Sequence, residues 1–186
     1  MAHENETDYG PLAALVGVWR GDKGMDVAPE PDGPDNNPYY ETLTFEAAGD
    51  VDNAGVQFLS IVHYKQVVQR KSNDEVFHHE LGYWLWDADT DSVMHSFTIP
   101  RGVALVAGGK ATSSSEKTVF EVAAGEADPQ WQIAQSPFML EKARTLSFTQ
   151  RMEITGDRLS YRETTLLDIY GQRFEHMDNN DLQRVA

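Results

Sequence analysis

Apolar and polar positions alternate along this chain far more often than they recur at helical spacing. The sharpest case is Leu146-Ser147-Phe148-Thr149-Gln150-Arg151-Met152-Glu153-Ile154. Leu146, Phe148, Met152 and Ile154 fall on one face, and Ser147, Thr149, Arg151 and Glu153 on the other, the period of two of a half-buried strand. Thr155-Gly156-Asp157 then turns the chain and Arg158 to Asp168 runs back, because glycine supplies the positive φ that a tight hairpin needs. Further strands are predicted at Val18–Arg20, Tyr40–Ala47, Val56–Val68, Val76–Trp86, Ser92–Ile99, Val103–Ala107, Thr118–Ala123 and Trp131–Gln135. With the final pair they make about ten, with almost no helix between them. Parallel pairing would need crossovers of a dozen residues or more, so the sheet is antiparallel. Only Pro11 to Val16 reads as a helical turn, with proline suited to its start. Residues 1–10 are polar and read as a frayed segment, residues 11–186 as one domain. Ala28 to Pro38, rich in proline, aspartate and asparagine, reads as an exposed loop.

A sheet of ten antiparallel strands has to close or split into two layers to hide its edges. The strand Val76–Trp86 decides for closure. One face carries His78, Glu80 and Trp84, the other Phe77, His79, Leu81, Tyr83 and Leu85. A dry sandwich core does not favour histidine and glutamate on an inward stripe, whereas a barrel wide enough for a ligand accommodates them.

Charge narrows the partners. Thirty acidic against 15 basic residues leave a net charge of −15 in 186 residues. Such a field repels nucleic acid and anionic membranes. No run approaches the roughly 20 apolar residues that span a bilayer, and the polar start shows no secretory signal. A cytoplasmic protein is expected. The absence of cysteine excludes disulfides, iron–sulfur clusters and thiolate chemistry.

Other chemistry is sparsely signalled. There is no His-x-x-x-His motif and no Gly-x-Ser-x-Gly elbow. Asp32, Asp35 and Asn36 lack the spacing and closing glutamate of an EF-hand, and Ser113-Ser114-Ser115 reads as a turn. His63 and His95 sit alone in separate strands and read as structural, and His79 points away from the His78 face.

Several ordered segments do resemble a family. Gly17-Val18-Trp19-Arg20-Gly21 is similar to the Gly-x-Trp-x-Gly opening of the nitrobindin-like haem-binding β-barrels. Tyr40-Glu41-Thr42-Leu43-Thr44-Phe45 is similar to their second strand, and His78-His79-Glu80-Leu81-Gly82-Tyr83 to their His-x-Glu-x-Gly-Tyr strand. Gly102 to Val106 with Gly108-Gly109, then Leu159-Ser160-Tyr161, then Phe174-Glu175-His176 with Leu182, follow in the family's order. The resemblance covers residues 11–185. It implies an all-β, closed antiparallel ten-stranded barrel of the lipocalin and fatty-acid-binding-protein type, with a short N-terminal helical turn. It implies a small-molecule ligand in the cavity: haem b, with His176 as axial ligand to ferric iron, His78 as a distal or cavity residue and Glu80 in the cavity. It further implies nitric oxide binding, isomerisation of peroxynitrite to nitrate at the iron, and a largely apolar distal side. Two departures stand out: the glycine-rich loop reads Gly21-Asp22-Lys23-Gly24-Met25-Asp26, and Ala104-Leu105-Val106 replaces a Val-Glu-Val. They leave open an alternative, a non-catalytic barrel for a fatty acid or other small apolar ligand.

Overall fold

The computed structural model describes residues 7–186 except Asp32 and Ala54. After a 3₁₀ turn at Gly10–Ala14 the chain forms β1 (Gly17–Glu30), β2 (Gly33–Val51), β3 (Leu59–Arg70), β4 (Val76–Asp87), β5 (Ser92–Ile99) and β6 (Val103–Ser113). It continues with β7 (Thr118–Gly125), β8 (Ile133–Gln135), the helix α1 (Pro137–Lys142), β9 (Ala143–Thr155), β10 (Arg158–Ile169) and β11 (Gln172–Arg184). Every pairing is antiparallel. Ten strands close into a ring: β1 to β6 pair in sequence, β6 pairs with β7, β7 with β9, and β11 returns to β1. The three-residue β8 lies on the part of β6 that β7 leaves uncovered. No described helix is long and apolar enough to cross a membrane.

Ten strands close the barrel as expected, but their membership differs. Trp131–Gln135 contributes only the accessory β8, and the closing strand is β11, formed by the C-terminal stretch that looks like a polar tail. His176 therefore sits inside a strand of the barrel wall. Ala28–Pro38 is not a loop but the far end of the β1–β2 hairpin, paired through Pro29↔Pro34 and Glu30↔Gly33. Asp32 lies outside the described residues. The short helix α1 was not signalled by periodicity; Ser136 caps it by accepting from the Met139 backbone N–H, with Pro137 in its first turn. Met1–Glu6 lie outside the described residues, while Thr7 donates to Asp50 and the Asp8 carbonyl accepts from Ser60.

The register separates the barrel into levels. Trp19, Trp84, Ile154, Leu159 and Leu182 form a dry end with Leu12 and Leu15 of the 3₁₀ turn, all buried. The Trp19 indole N–H donates to the Leu15 carbonyl at 2.7 Å and ties that turn to the core. Further along the same strands the inward positions become Asp26 on β1, Glu80 and His78 on β4, Phe148 on β9, Glu163 on β10 and His176 on β11. The cavity is at this end.

Two irregularities change which side chains face it. Between β3 and β4 the register shifts from Val68↔His78 to Gln69↔Val76, which turns Phe77 into the cavity beside His78. Between β9 and β10 it shifts from Ser147↔Leu166 to Thr145↔Leu167. Leu146 occupies that bulge and is only half-buried, so it leaves the inward stripe while Phe148, Met152 and Ile154 remain on it. Glycine is required where the wall folds tightest. A Cβ at Gly109 would collide with the Glu121 carbonyl oxygen, and one at Gly108 with the Trp131 ring.

Candidate functional site

The cavity has a volume of about 270 Å³. Phe77, Phe97, Ile99, Leu105, Met139 and Phe148 are among its apolar lining, and among the described residues no lysine or arginine lines it. His78, Glu80 and His176 all line it, so the structure brings His176 of β11 together with two neighbouring residues of β4 that lie far from it in sequence. His63, by contrast, is on the outside beside Glu46, 3.3 Å away.

His176 does not stand alone. Its Nε2 lies 2.6 Å from Oδ1 of Asp26 and 3.4 Å from Oδ2 of Asp178. Asp26 is buried, and it pairs across the β1–β11 ladder directly with Asp178. Burial alone would lower the His176 pKa, but the hydrogen bond to Asp26 and the charges of both aspartates outweigh it and raise the pKa. Burial pushes Asp178 up to about 6, with Asp26 and Glu80 adding to the rise. Asp26 comes from Gly21–Asp26, the segment that departs from the glycine-rich pattern. That segment is part of β1, with its register shifted between Gly21 and Gly24, and the Tyr39 ring occupies the space a Cβ on Gly24 would need.

Beside this apolar lining the cavity carries a polar level. His78 Nε2 is 3.5 Å from Oε2 of Glu80, and this carboxylate raises the His78 pKa against the effect of burial. Glu41 is buried and accepts from Gln66 (2.6 Å), Asn180 (2.7 Å) and the Tyr161 hydroxyl (3.0 and 3.1 Å). Tyr161 in turn contacts the Tyr39 hydroxyl at 3.0 Å. Gln150 donates to Glu163 at 3.0 Å. Burial pushes Glu163 well up and Glu41 up to about 7, because removing a carboxylate from water penalises its charged form. His95 is fully buried between the Trp84 and Tyr64 rings, and burial pushes it down to about 3, so it is neutral. Sequence reasoning missed Asp26, Asp178 and Glu163, which have no motif; only their inward phase on their strands marks them.

This polar level has a consequence for pH dependence. Glu41 titrates near 7 in the folded chain and near its ordinary 4.5 when unfolded, so the folded state holds its proton over that interval. Folding is therefore favoured at low pH, and the advantage, about 3 kcal/mol for this group, is lost as pH rises through 7. Asp178 acts in the same sense between 3.8 and about 6. His95 acts oppositely: stability falls as pH drops below its ordinary 6.5 toward about 3. The expected result is a melting temperature higher at pH 5.5 than at pH 8, with a smaller difference in Glu41→Gln. Thermal unfolding by circular dichroism across that range checks it; an unchanged slope in the variant would contradict it.

The donor set fits haem. A cavity-lining imidazole backed by a carboxylate is the arrangement that orients metal-bound histidines, and aromatic and aliphatic side chains offer faces for a flat apolar ring. Comparison with the curated proteins finds no match. The crystal structure of Rv2717c from M. tuberculosis is similar over 97% of this chain and 100% of that one, with a TM-score of 0.72 and 19% identity. That likeness is one of fold. The model of the THAP4-like, heme-binding beta-barrel domain matches residues 8–184, nearly the whole chain. With a ten-stranded closed barrel and a histidine-lined cavity at one end, this chain belongs to the THAP4-like, heme-binding beta-barrel domain family.

Proposed function

We propose that the barrel binds haem b in this cavity with His176 as the axial ligand, and that the bound ferric haem binds nitric oxide and isomerises peroxynitrite to nitrate. The observation that carries this reading is the His176–Asp26 pair at the cavity wall, 2.6 Å apart. When bound, haem supplies a Lewis-acidic iron able to take such small ligands. The protein's part is to hold and orient. Asp26 fixes the His176 ring and raises its basicity, Phe77, Phe97 and Phe148 exclude water, and His78, held by Glu80, presents a polar group to the cavity.

Charge does not separate haem from a fatty acid, since both carry carboxylates and the cavity offers Asp26, Glu80, Glu163 and Asp178 with, among the described residues, no lysine or arginine. The carboxylate-backed His176 favours haem, because a metal-centred ligand uses an oriented imidazole and a fatty acid or other small apolar ligand does not. A haemin titration of the purified chain tests the proposal: the expected result is a Soret change that saturates at one equivalent. The ferric complex is expected to accelerate peroxynitrite decay to nitrate. A titration with no saturable Soret change overturns the reading.

A further inference from the structure

We infer that Asp26, His176 and Asp178 form a binding site for a divalent transition-metal ion of the zinc and cobalt class in the haem-free barrel. One imidazole nitrogen and one oxygen from each carboxylate lie within 4.8 Å of one another. The three residues sit on adjacent strands: Asp26 and Asp178 are directly paired, and His176 is two positions along β11 on the same face. Ligand atoms about 2.0–2.1 Å from a tetrahedral zinc ion lie roughly 3.3 Å apart. The 3.4 Å between His176 Nε2 and Asp178 Oδ2 already matches that edge. The 2.6 Å contact to Asp26 would open on replacing the shared proton by an ion. Three protein ligands leave one position open toward the cavity.

Charge points the same way. Two aspartates directly opposite each other on neighbouring strands repel, and among the described residues no lysine or arginine lines the cavity to compensate them. A second observation is independent of the triad. Glu80, 3% exposed and lining the same cavity, leaves Oε1 without a hydrogen-bond partner among the described residues, His95 Nε2 being 4.0 Å away. The cavity thus carries more buried acceptors than its own donors satisfy, which favours a cationic occupant. Nitrogen and oxygen donors without thiolate suit zinc, cobalt or manganese better than copper(I). In the haem reading Asp26 holds His176 Nε2 as an orienting partner, whereas the ion would take Nε2 and Asp26 together as ligands, so the pair cannot serve both at once.

The test uses the haem-free 186-residue chain titrated with cobalt(II) chloride, followed by visible d–d absorbance and calorimetry, with zinc(II) as competitor. The expected result is one equivalent bound and displaced by zinc. His176→Ala and Asp178→Asn should each weaken binding by at least about 100-fold, the upper end of what losing even an outer partner of a metal ligand costs. Glu116→Gln, in an exposed turn, should bind as wild type and so excludes attraction by net charge alone. Circular dichroism confirms that each variant is folded, and Asp26→Asn supplies a second ligand variant if Asp178→Asn is not. Absence of saturable binding, or equal affinity in the folded ligand variants, overturns the inference. Stoichiometric haemin uptake without cobalt binding defeats the ion site alone; cobalt binding without haemin uptake supports the ion site and defeats the haem reading.

Discussion

Replacing His176 by alanine is expected to abolish stoichiometric haemin binding while the barrel stays folded. On the proposed reading the His176 imidazole, 2.6 Å from Asp26 at the cavity wall, is the ligand, and alanine leaves no donor at that position. Folding should survive because β11 is held by its backbone ladders to β1 and β10, and the His176 side chain is 28% exposed. Asp26→Asn is expected to be milder: it keeps the ligand but weakens its orienting partner, an effect of about 10–100-fold on affinity. Haemin titrations of the three proteins, with circular dichroism as the folding control, check the order wild type, Asp26→Asn, His176→Ala. An unchanged spectrum and affinity in His176→Ala would remove the ligand assignment.

Trp84→Ala is expected to have the largest effect on stability. The indole is fully buried, stacks on His95 with ring centroids 4.4 Å apart at 14°, and meets Phe120 edge-on at 5.2 Å. Truncation to alanine loses the transfer energy of the ring and opens a cavity that closed strands cannot collapse into, about 3–5 kcal/mol. In a domain of this size that lowers the melting temperature by roughly 6–20 °C. Trp84→Phe should lose much less. Thermal unfolding at fixed pH reads both; a shift of only a degree or two for Trp84→Ala would show the dry end to be more plastic than its packing implies.

The strands easiest to read in sequence are those whose inward residues belong to the dry end. In β9, Met152 and Ile154 at the dry end, with Phe148 beyond them at the cavity, stay in phase, and the hairpin to β10 follows from Gly156, whose φ is +56°. The strand hardest to read is β11. Its inward positions are Phe174, His176, Asp178, Asn180 and Leu182, three of them polar because they face the cavity or the Glu41 network. A strand whose inward face lines a polar site carries little hydropathy signal. The same holds for β1 beyond Gly21, where Asp26 points inward, and for the β1–β2 extension, where proline and asparagine suggest a loop while the ladder continues through Val27↔Asn36.

The amino-acid sequence by itself determined the class of fold, the antiparallel closure and the inward phase of β4, since a period of two leaves a strand only two choices of face. It also singled out His78, Glu80 and His176, through ordered motifs. Only the tertiary structure decided that Asp26 and Asp178 flank His176, that Glu41, Glu163 and His95 form a buried polar level, and that a bulge turns Phe77 inward. Those facts depend on cross-strand register and on which strand closes the ring. Asp26 and His176 are 150 residues apart, and only the β1–β11 pairing, which exists only once the barrel has closed, brings them together.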